Sequence, residues 1–162
     1  MEFLLFTVIP TIAFVIFMIV IRVWARSKTR KEKETVAAMT AQAAALRSAG
    51  NLREALEQLY GALRHVVGIG PGTTEWTSRG LCLRMEEQGR EVVSAIRECH
   101  KAGGVSYDWN QFEQVIADFG QFSRDGKLVN RYGLPKRAGK GIYRAMRARL
   151  AGCLDAMPRL GQ

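Results

Sequence analysis

Few side chains in this sequence are of the types that catalyse reactions or bind metals, and their spacing is unfavourable. The three cysteines, Cys82, Cys99 and Cys153, form no Cys-x-x-Cys pair, and the two histidines lie at no metal-ligand spacing from them. An odd number of cysteines without paired spacing argues against a disulfide framework and fits a reducing compartment. We interpret His65 and His100 as surface or cap residues, because a histidine near a helix C-terminus interacts favourably with the dipole. The sequence therefore predicts no metal site and no cofactor.

Two short motifs match known signatures only locally. Asp118-Phe119-Gly120 matches the metal-binding triplet of protein kinases, but no Gly-rich loop, lysine strand or catalytic loop accompanies it, so we expect it to be part of a helix. The run Gly68-x-Gly70-x-Gly72 follows a helical pattern rather than a strand. It therefore predicts a connector and not a dinucleotide-binding loop.

A charged run precedes the second of the histidines. Glu86, Glu87 and Glu91 alternate there with Arg84 and Arg90, a pattern typical of a solvated helix face. No Ser-His-Asp or Cys-His arrangement is indicated. We therefore predict no catalytic residues and expect that the protein is not an enzyme.

The net charge of +9 is concentrated in two segments. Residues 22–34 carry six basic and two acidic side chains (+4), residues 35–123 carry eight and ten (−2), and residues 124–162 carry ten and two (+8). Seven cations of the last segment form a candidate patch for an anionic partner: Arg131, Lys136, Arg137, Lys140, Arg144, Arg147 and Arg149. Such a patch binds phosphates of nucleic acid or of lipid, or an acidic protein, and composition does not distinguish these partners.

An uncharged apolar run opens the chain. The nineteen residues Phe3–Ile21 contain no charge, and a helix needs about 20 such residues to cross the hydrocarbon core of a membrane. Backbone amides in lipid must be bonded internally, so we predict one transmembrane helix. We expect its lipid-facing and interfacial side chains to be Phe3, Phe6, Ile9, Phe14, Phe17, Ile21 and Trp24.

The alternative to an anchor is a cleaved signal peptide. That class has a positive start, a shorter apolar core and an A-x-A exit, whereas this chain starts Met1-Glu2 and has a long core. We therefore expect the segment to be retained. The orientation follows from a basic juxtamembrane cluster, which consists of Arg22, Arg26, Lys28, Arg30, Lys31 and Lys33. Basic flanks stay in the cytoplasm, which places the N-terminus outside and the rest inside, at the inner or plasma membrane if the source is bacterial.

The clearest motif beyond the anchor is a pair of helical patterns joined at Gly50-Asn51. Small and apolar residues at the turn and along the second pattern are spaced for close helix packing: Leu46, Gly50, Ala55, Leu59, Ala62 and Leu63. Together with Pro71, the segment 37–71 resembles one tetratricopeptide-type helix-turn-helix. It lacks the Trp-x-x-Leu-Gly opening of that family, and its proline lies several residues late. A generic antiparallel helix pair is the alternative, and one unit does not form the peptide-binding superhelix of that family.

These patterns predict an all-α protein in which four or five short helices follow a single transmembrane helix. We divide it into an anchor (1–25), a basic juxtamembrane helix or linker (26–36), a helical domain (37–123), and a basic loop with a C-terminal helix from Ile142 (124–162). A hinge at Ser27 to Thr29 is the alternative to an anchor helix that continues to Ala49. The predicted function is a membrane-anchored protein-interaction module, an accessory subunit of a larger membrane complex. The alternative is a membrane-tethered protein that binds nucleic acid or anionic lipid through its C-terminal segment.

Overall fold

The computed structural model describes residues 2–70, 72–73, 76, 78–125 and 137–160. All regular structure in these residues is helical, which confirms the all-α prediction for that part of the chain. The helices are α1 (Glu2–Ser48), α2 (Leu52–Val67), α3 (Ser78–Arg84), α4 (Arg90–Ala102), α5 (Asn110–Arg124) and α6 (Arg137–Asp155). The chain divides into two compact units, Met1–Glu34 and Thr35–Gln162. In this described part of the chain five α-helices follow α1, within the predicted number.

The first helix continues through the segment where a hinge was the alternative. Helix α1 is 47 residues long and contains Pro10. The hydroxyl of Thr29 donates a hydrogen bond of 2.9 Å to the carbonyl of Ala25, one turn back within the same helix. Because this bond leaves the backbone ladder intact, a hydroxyl residue at this position is compatible with an unbroken helix.

Three glycines end helices in the same way. Gly50, Gly68 and Gly104 have φ values of +84°, +66° and +68°, in the left-handed region that side chains with a Cβ rarely adopt. After α1, the amides of Gly50 and Asn51 donate to the carbonyls of Arg47 and Leu46 at 3.0 and 2.9 Å. This pair of bonds is a Schellman motif, and it recurs after α2 and α4. The predicted helix ends at Gly50 and Gly68 are confirmed.

A π-helical turn, Met85–Gly89, joins α3 to α4. A Cβ built on Gly89 would lie 2.6 Å from the sulfur of Met85, so the absence of a side chain makes room for that methionine. The turn lies within the run that we interpreted as a solvated face. Glu86, Glu87 and Arg90 are exposed, but Arg84 is only 2% exposed, so the interpretation was wrong for this residue. Arg84 follows the buried Leu81 by three residues and therefore shares its inward face.

The core of the second unit lies between α2, α4, α5 and α6. Helix α2 packs most extensively on α4, and α5 packs on α6 and α3. The largest fully buried side chains include Leu56, Leu59, Leu63, Leu81, Ile96, Phe112, Phe119 and Leu150. Phe112, Val115 and Phe119 of α5 belong to this core. The triplet Asp118-Phe119-Gly120 lies within α5, which confirms the prediction that it is part of a helix.

The last helix begins five residues before the predicted position. Helix α6 starts at Arg137, although Gly139 and Gly141 led us to predict a loop as far as Ile142. Each glycine costs about 1 kcal/mol in a helix interior relative to alanine. The buried side chains of Met146, Leu150 and Leu154 compensate by packing the helix on the core. Residues 126–136, which belong to the predicted basic loop, lie outside the described residues.

Candidate interaction surfaces

The apolar half of α1 presents its side chains outward. From Ile9 to Trp24 its large apolar side chains are between 42% and 63% exposed, and the most apolar 18-residue window has a mean hydropathy of 1.9. Among the described residues, one helix, α1, is long and apolar enough to cross a membrane. The predicted anchor residues Ile9, Phe14, Phe17, Ile21 and Trp24 all belong to this exposed surface. The side chains of Phe3 and Phe6 lie outside the described part.

The juxtamembrane cluster lies within α1 and follows directly on its apolar segment. Lys28 places its ammonium group 5.2 Å from the centre of the Trp24 ring, a cation–π contact. Arg30 donates to Glu34 at 2.8 Å, and this pair raises the pKa of the Arg30 guanidinium. On one side of the helix, a shallow depression of about 420 Å³ is lined by Arg22, Ala25, Arg26, Thr29, Arg30 and Lys33. Of the six predicted basic residues, Lys28 and Lys31 lie outside this lining.

The residues predicted to pack the helix pair are mostly buried, but α1 is not the main partner of α2. Ala55, Ala62 and Leu63 have no exposed surface and Leu59 is 2% exposed, while Leu46 is half-buried. Helix α2 packs more extensively on α4 than on α1. On the α1 side, Arg47 pairs with Glu98 of α4. A cavity of about 350 Å³ separates these helices and is lined by Thr40, Ala43, Ala44, Arg47, Leu59, Glu91, Ser94, Ala95, Glu98 and Cys99.

The predicted C-terminal basic patch is divided by internal contacts. Arg147 donates to the carbonyl of Gly68, the residue that follows α2. Arg149 pairs with Asp118 of α5 at 3.3 Å. Lys140 and Arg144 are exposed. The residues Arg131 and Lys136 and the side chain of Arg137 lie outside the described part. Two of the four described cations of this patch thus hold helices together.

A buried polar cluster connects α2, α4 and the segment after α6. The Tyr60 hydroxyl donates to the carbonyl of Pro158 at 2.6 Å and lies 2.7 Å from His100 Nε2. The Tyr60 hydroxyl has one proton and donates it to Pro158, so its oxygen accepts the second hydrogen bond, which Nε2–H of His100 donates. Nδ1 of His100 is buried and has no hydrogen-bond partner among the residues that the structure describes. His100 lies in the last turn of α4, near the helix C-terminus as predicted, but it is only 3% exposed, so our interpretation of it as a surface residue was wrong.

The surroundings of His100 are aromatic and disfavour its charged form. Tyr60, Tyr107 and Trp109 have ring centres 6.0 to 6.3 Å from the imidazole. Burial lowers the pKa of His100 below its ordinary value near 6.5, and the Pro158 carbonyl opposes this shift. Burial also raises the pKa of Tyr60 well above its ordinary value. His100 is therefore a neutral core residue at neutral pH.

An open groove lies between the π-helical turn, α4 and α5. Its volume is about 440 Å³, and it is lined by Met85, Arg90, Val93, Ser94, Arg97, Phe112, Glu113, Ile116 and Ala117. Arg97 pairs with Glu113 across the groove and lies 4.8 Å from the centre of the Trp109 ring, which fixes one rim. The exposed Arg90 lies at the π-helical end. This groove was not predicted, since its two walls are brought together only by tertiary packing.

Potential nucleophiles and metal ligands are dispersed. Cys82, Cys99 and Cys153 are free cysteines. Burial raises the pKa of the Cys82 and Cys99 thiols, which favours their protonated form. Among the described residues, no group of three His, Cys, Asp or Glu side chains is placed to hold a metal ion. Comparison with models of protein families, with characterised proteins and with solved structures gives no match to this chain.

Proposed function

We propose that this chain is a non-catalytic single-pass membrane protein whose helical unit binds another protein, as an accessory subunit of a larger membrane complex. The observation that carries the proposal is the exposed apolar surface of α1 between Ile9 and Trp24. Leaving about a dozen large apolar side chains in water is unfavourable by about 25 cal/mol for each Å² of apolar surface. Hydrocarbon removes that cost, and the uncharged length matches the thickness of a bilayer core.

The orientation in the proposal has the N-terminus outside and the unit Thr35–Gln162 in the cytoplasm. It is supported by the six cations between Arg22 and Lys33, which follow the apolar segment at once. A membrane-impermeant maleimide tests it on intact cells. Glu2→Cys is expected to react from outside, and Lys101→Cys, at an exposed position, only after the cells are permeabilised. Labelling of Lys101→Cys in intact cells would contradict the orientation.

A protein partner is supported by the groove between α4 and α5. Its floor is apolar, from Met85, Val93 and Ile116, and the exposed guanidinium of Arg90 lies at one end. This lining fits apolar side chains of a protein segment that carries a carboxylate opposite Arg90. Nucleic acid would instead need a continuous set of cations, and Arg147 and Arg149 bond within the unit.

Native gel electrophoresis of membranes in mild detergent tests the interaction. The wild-type chain is expected to migrate in a complex larger than its own 18.1 kDa plus detergent. Val93→Glu places a charge on the groove floor and is expected to release the chain from that complex. Ala148→Glu, at an exposed position on α6, is the matched control and is expected to leave the complex intact. Migration of the wild type as a lone chain would contradict the proposal.

A further inference from the structure

The cations that follow the apolar segment are arranged as a stripe along α1. Arg22, Arg26, Arg30 and Lys33 recur every three or four residues, so at about 100° per residue they fall within an arc of about 80°. Together with Ala25 and Thr29 they line the shallow depression described above. Lys31 lies on the opposite side of the helix. The four stripe cations therefore form one face of the helix, and Lys28 and Lys31 lie on the other.

The length of the stripe exceeds the depth of a lipid headgroup layer. From Arg22 to Lys33 the helix rises about 16 Å. The polar layer on each side of a bilayer is only about 5 to 8 Å deep, and an average tilt of about 20° shortens the stripe very little. Arg22 and Arg26 fit within that layer, whereas Arg30 and Lys33 extend beyond it. Lipid phosphates alone would match only the first half of the stripe.

A second copy of the chain is also a poor match. Two parallel copies paired through this face would place like charges opposite one another, which is unfavourable. The small side chains of Ala25 and Thr29 allow another helix to approach closely between the arginines. Within the described residues, Arg22 and Arg26 form no ion pair, and Arg30 pairs only with its exposed neighbour Glu34. Such exposed pairs are weak and exchange readily for an intermolecular partner.

We propose that this stripe binds the acidic juxtamembrane helix of a different single-pass membrane protein. That helix carries Asp or Glu on one face over about eleven residues, directly after its own apolar segment and on the same side of the membrane. Charge complementarity along the stripe selects the partner and its parallel orientation. The inference rests on the proposed membrane-spanning function of α1 and names the chemistry of its partner.

Site-specific photo-crosslinking in native membranes tests the inference on the full chain. A photoreactive amino acid at Thr29 lies on the stripe, and the same amino acid at Lys31 lies on the opposite side of the helix. We expect a protein adduct from position 29 that is at least tenfold more abundant than from position 31. Mass analysis of the adduct is expected to identify a membrane protein with the acidic face described above.

Two charge-reversal variants with the same change in net charge separate the stripe from general electrostatics. Arg26→Glu with Arg30→Glu is expected to lower the adduct at least tenfold, and Lys28→Glu with Lys31→Glu is expected to change it less than twofold. Replacing the facing acids of the partner by lysine is expected to restore the adduct of the first variant.

Several outcomes overturn the inference while leaving the proposed function intact. They are equal adducts from both faces, an adduct with lipid or with a second copy of the chain, and no adduct although the protein stays in the membrane after an alkaline wash. Release of the protein by the alkaline wash would contradict the proposed function as well, which distinguishes the two failures.

Discussion

The hydroxyl group of Tyr60 takes part in both hydrogen bonds of the buried polar cluster. It is hydrogen-bonded to Pro158 and His100 at 2.6 and 2.7 Å, and the tyrosine is only 7% exposed. Tyr60→Phe removes both bonds with almost no change in volume. Each bond contributes about 1 kcal/mol, and a buried group left without a partner adds to the loss. We therefore expect Tyr60→Phe to lower the free energy of unfolding by about 2 to 3 kcal/mol.

Tyr107→Phe is the matched control within the same aromatic cluster. Its hydroxyl makes a single bond of 3.1 Å to the carbonyl of Cys153, so a loss of about 1 kcal/mol is expected. Urea unfolding of the full chain in detergent micelles, followed by tryptophan fluorescence, measures both variants. Trp109 reports on the cluster because its ring centre is 6.0 Å from that of His100.

A double-mutant cycle tests whether His100 bonds to Tyr60. His100→Phe replaces the imidazole by an apolar ring and removes one of the two bonds. Because the partner is then already absent, adding Tyr60→Phe is expected to cost about 1 kcal/mol less than it does in the wild type. Additive losses, or a Tyr60→Phe variant within 0.5 kcal/mol of the wild type, would refute the bonding arrangement.

Three further predictions concern the helical unit. First, the lowered pKa of His100 means that, as the pH falls, the unfolded chain takes up a proton near pH 6.5 before the folded chain does. The free energy of unfolding is therefore kept above pH 6.5 and falls below it by at most about 1.4 kcal/mol per pH unit. Urea unfolding at several pH values measures this slope, and His100→Phe is expected to reduce it. Second, replacing glycine by alanine is expected to have opposite effects on stability at two positions. Gly50→Ala destabilises by about 1 to 2 kcal/mol because φ is +84° there, whereas Gly152→Ala, in open space on α6, stabilises by about 0.5 to 1 kcal/mol. Equal shifts of the two variants in thermal unfolding would contradict the assigned backbone. Third, Arg147→Ala is expected to lower the free energy of unfolding by about 1.5 to 3 kcal/mol, because the carbonyl of Gly68 at the end of α2 loses its hydrogen-bond donor. Arg144→Ala, at an exposed position, is expected to change it by less than 0.5 kcal/mol. Equal effects of the two variants in thermal unfolding would refute the structural role of Arg147.

Local patterns in the sequence were sufficient for the helix ends and for the aromatic core. Gly50, Gly68 and Gly104 could be predicted as helix ends because a positive φ is a property of one residue and its neighbours. The start of α6 was missed because two glycines indicated a loop, and only packing on the core makes that segment helical. Local propensity is a weak prior wherever tertiary contacts contribute more.

The buried polar residues were missed for a different reason, since residue type was given more weight than helical position. His100 follows Ile96 by four residues, and Arg84 follows Leu81 by three, so the periodicity placed both on inward faces. The groove between α4 and α5 had no such signal. Its walls, such as Val93 and Ile116, come from separate helices, and their proximity depends on how those helices pack.

The central claim, that α1 spans a membrane, is tested most directly by a charge placed in the middle of its apolar segment. Ile12→Arg puts a guanidinium at the middle of Phe3–Ile21, and a charge at the bilayer centre disfavours insertion by about 2.5 to 3.5 kcal/mol. Alkaline extraction of membranes measures the outcome, with Lys33→Arg as the control outside the segment. We expect the wild type and the control to stay in the pellet, and Ile12→Arg to shift substantially into the soluble fraction or to be lost. A wild-type chain that is released by the alkaline wash would contradict the account.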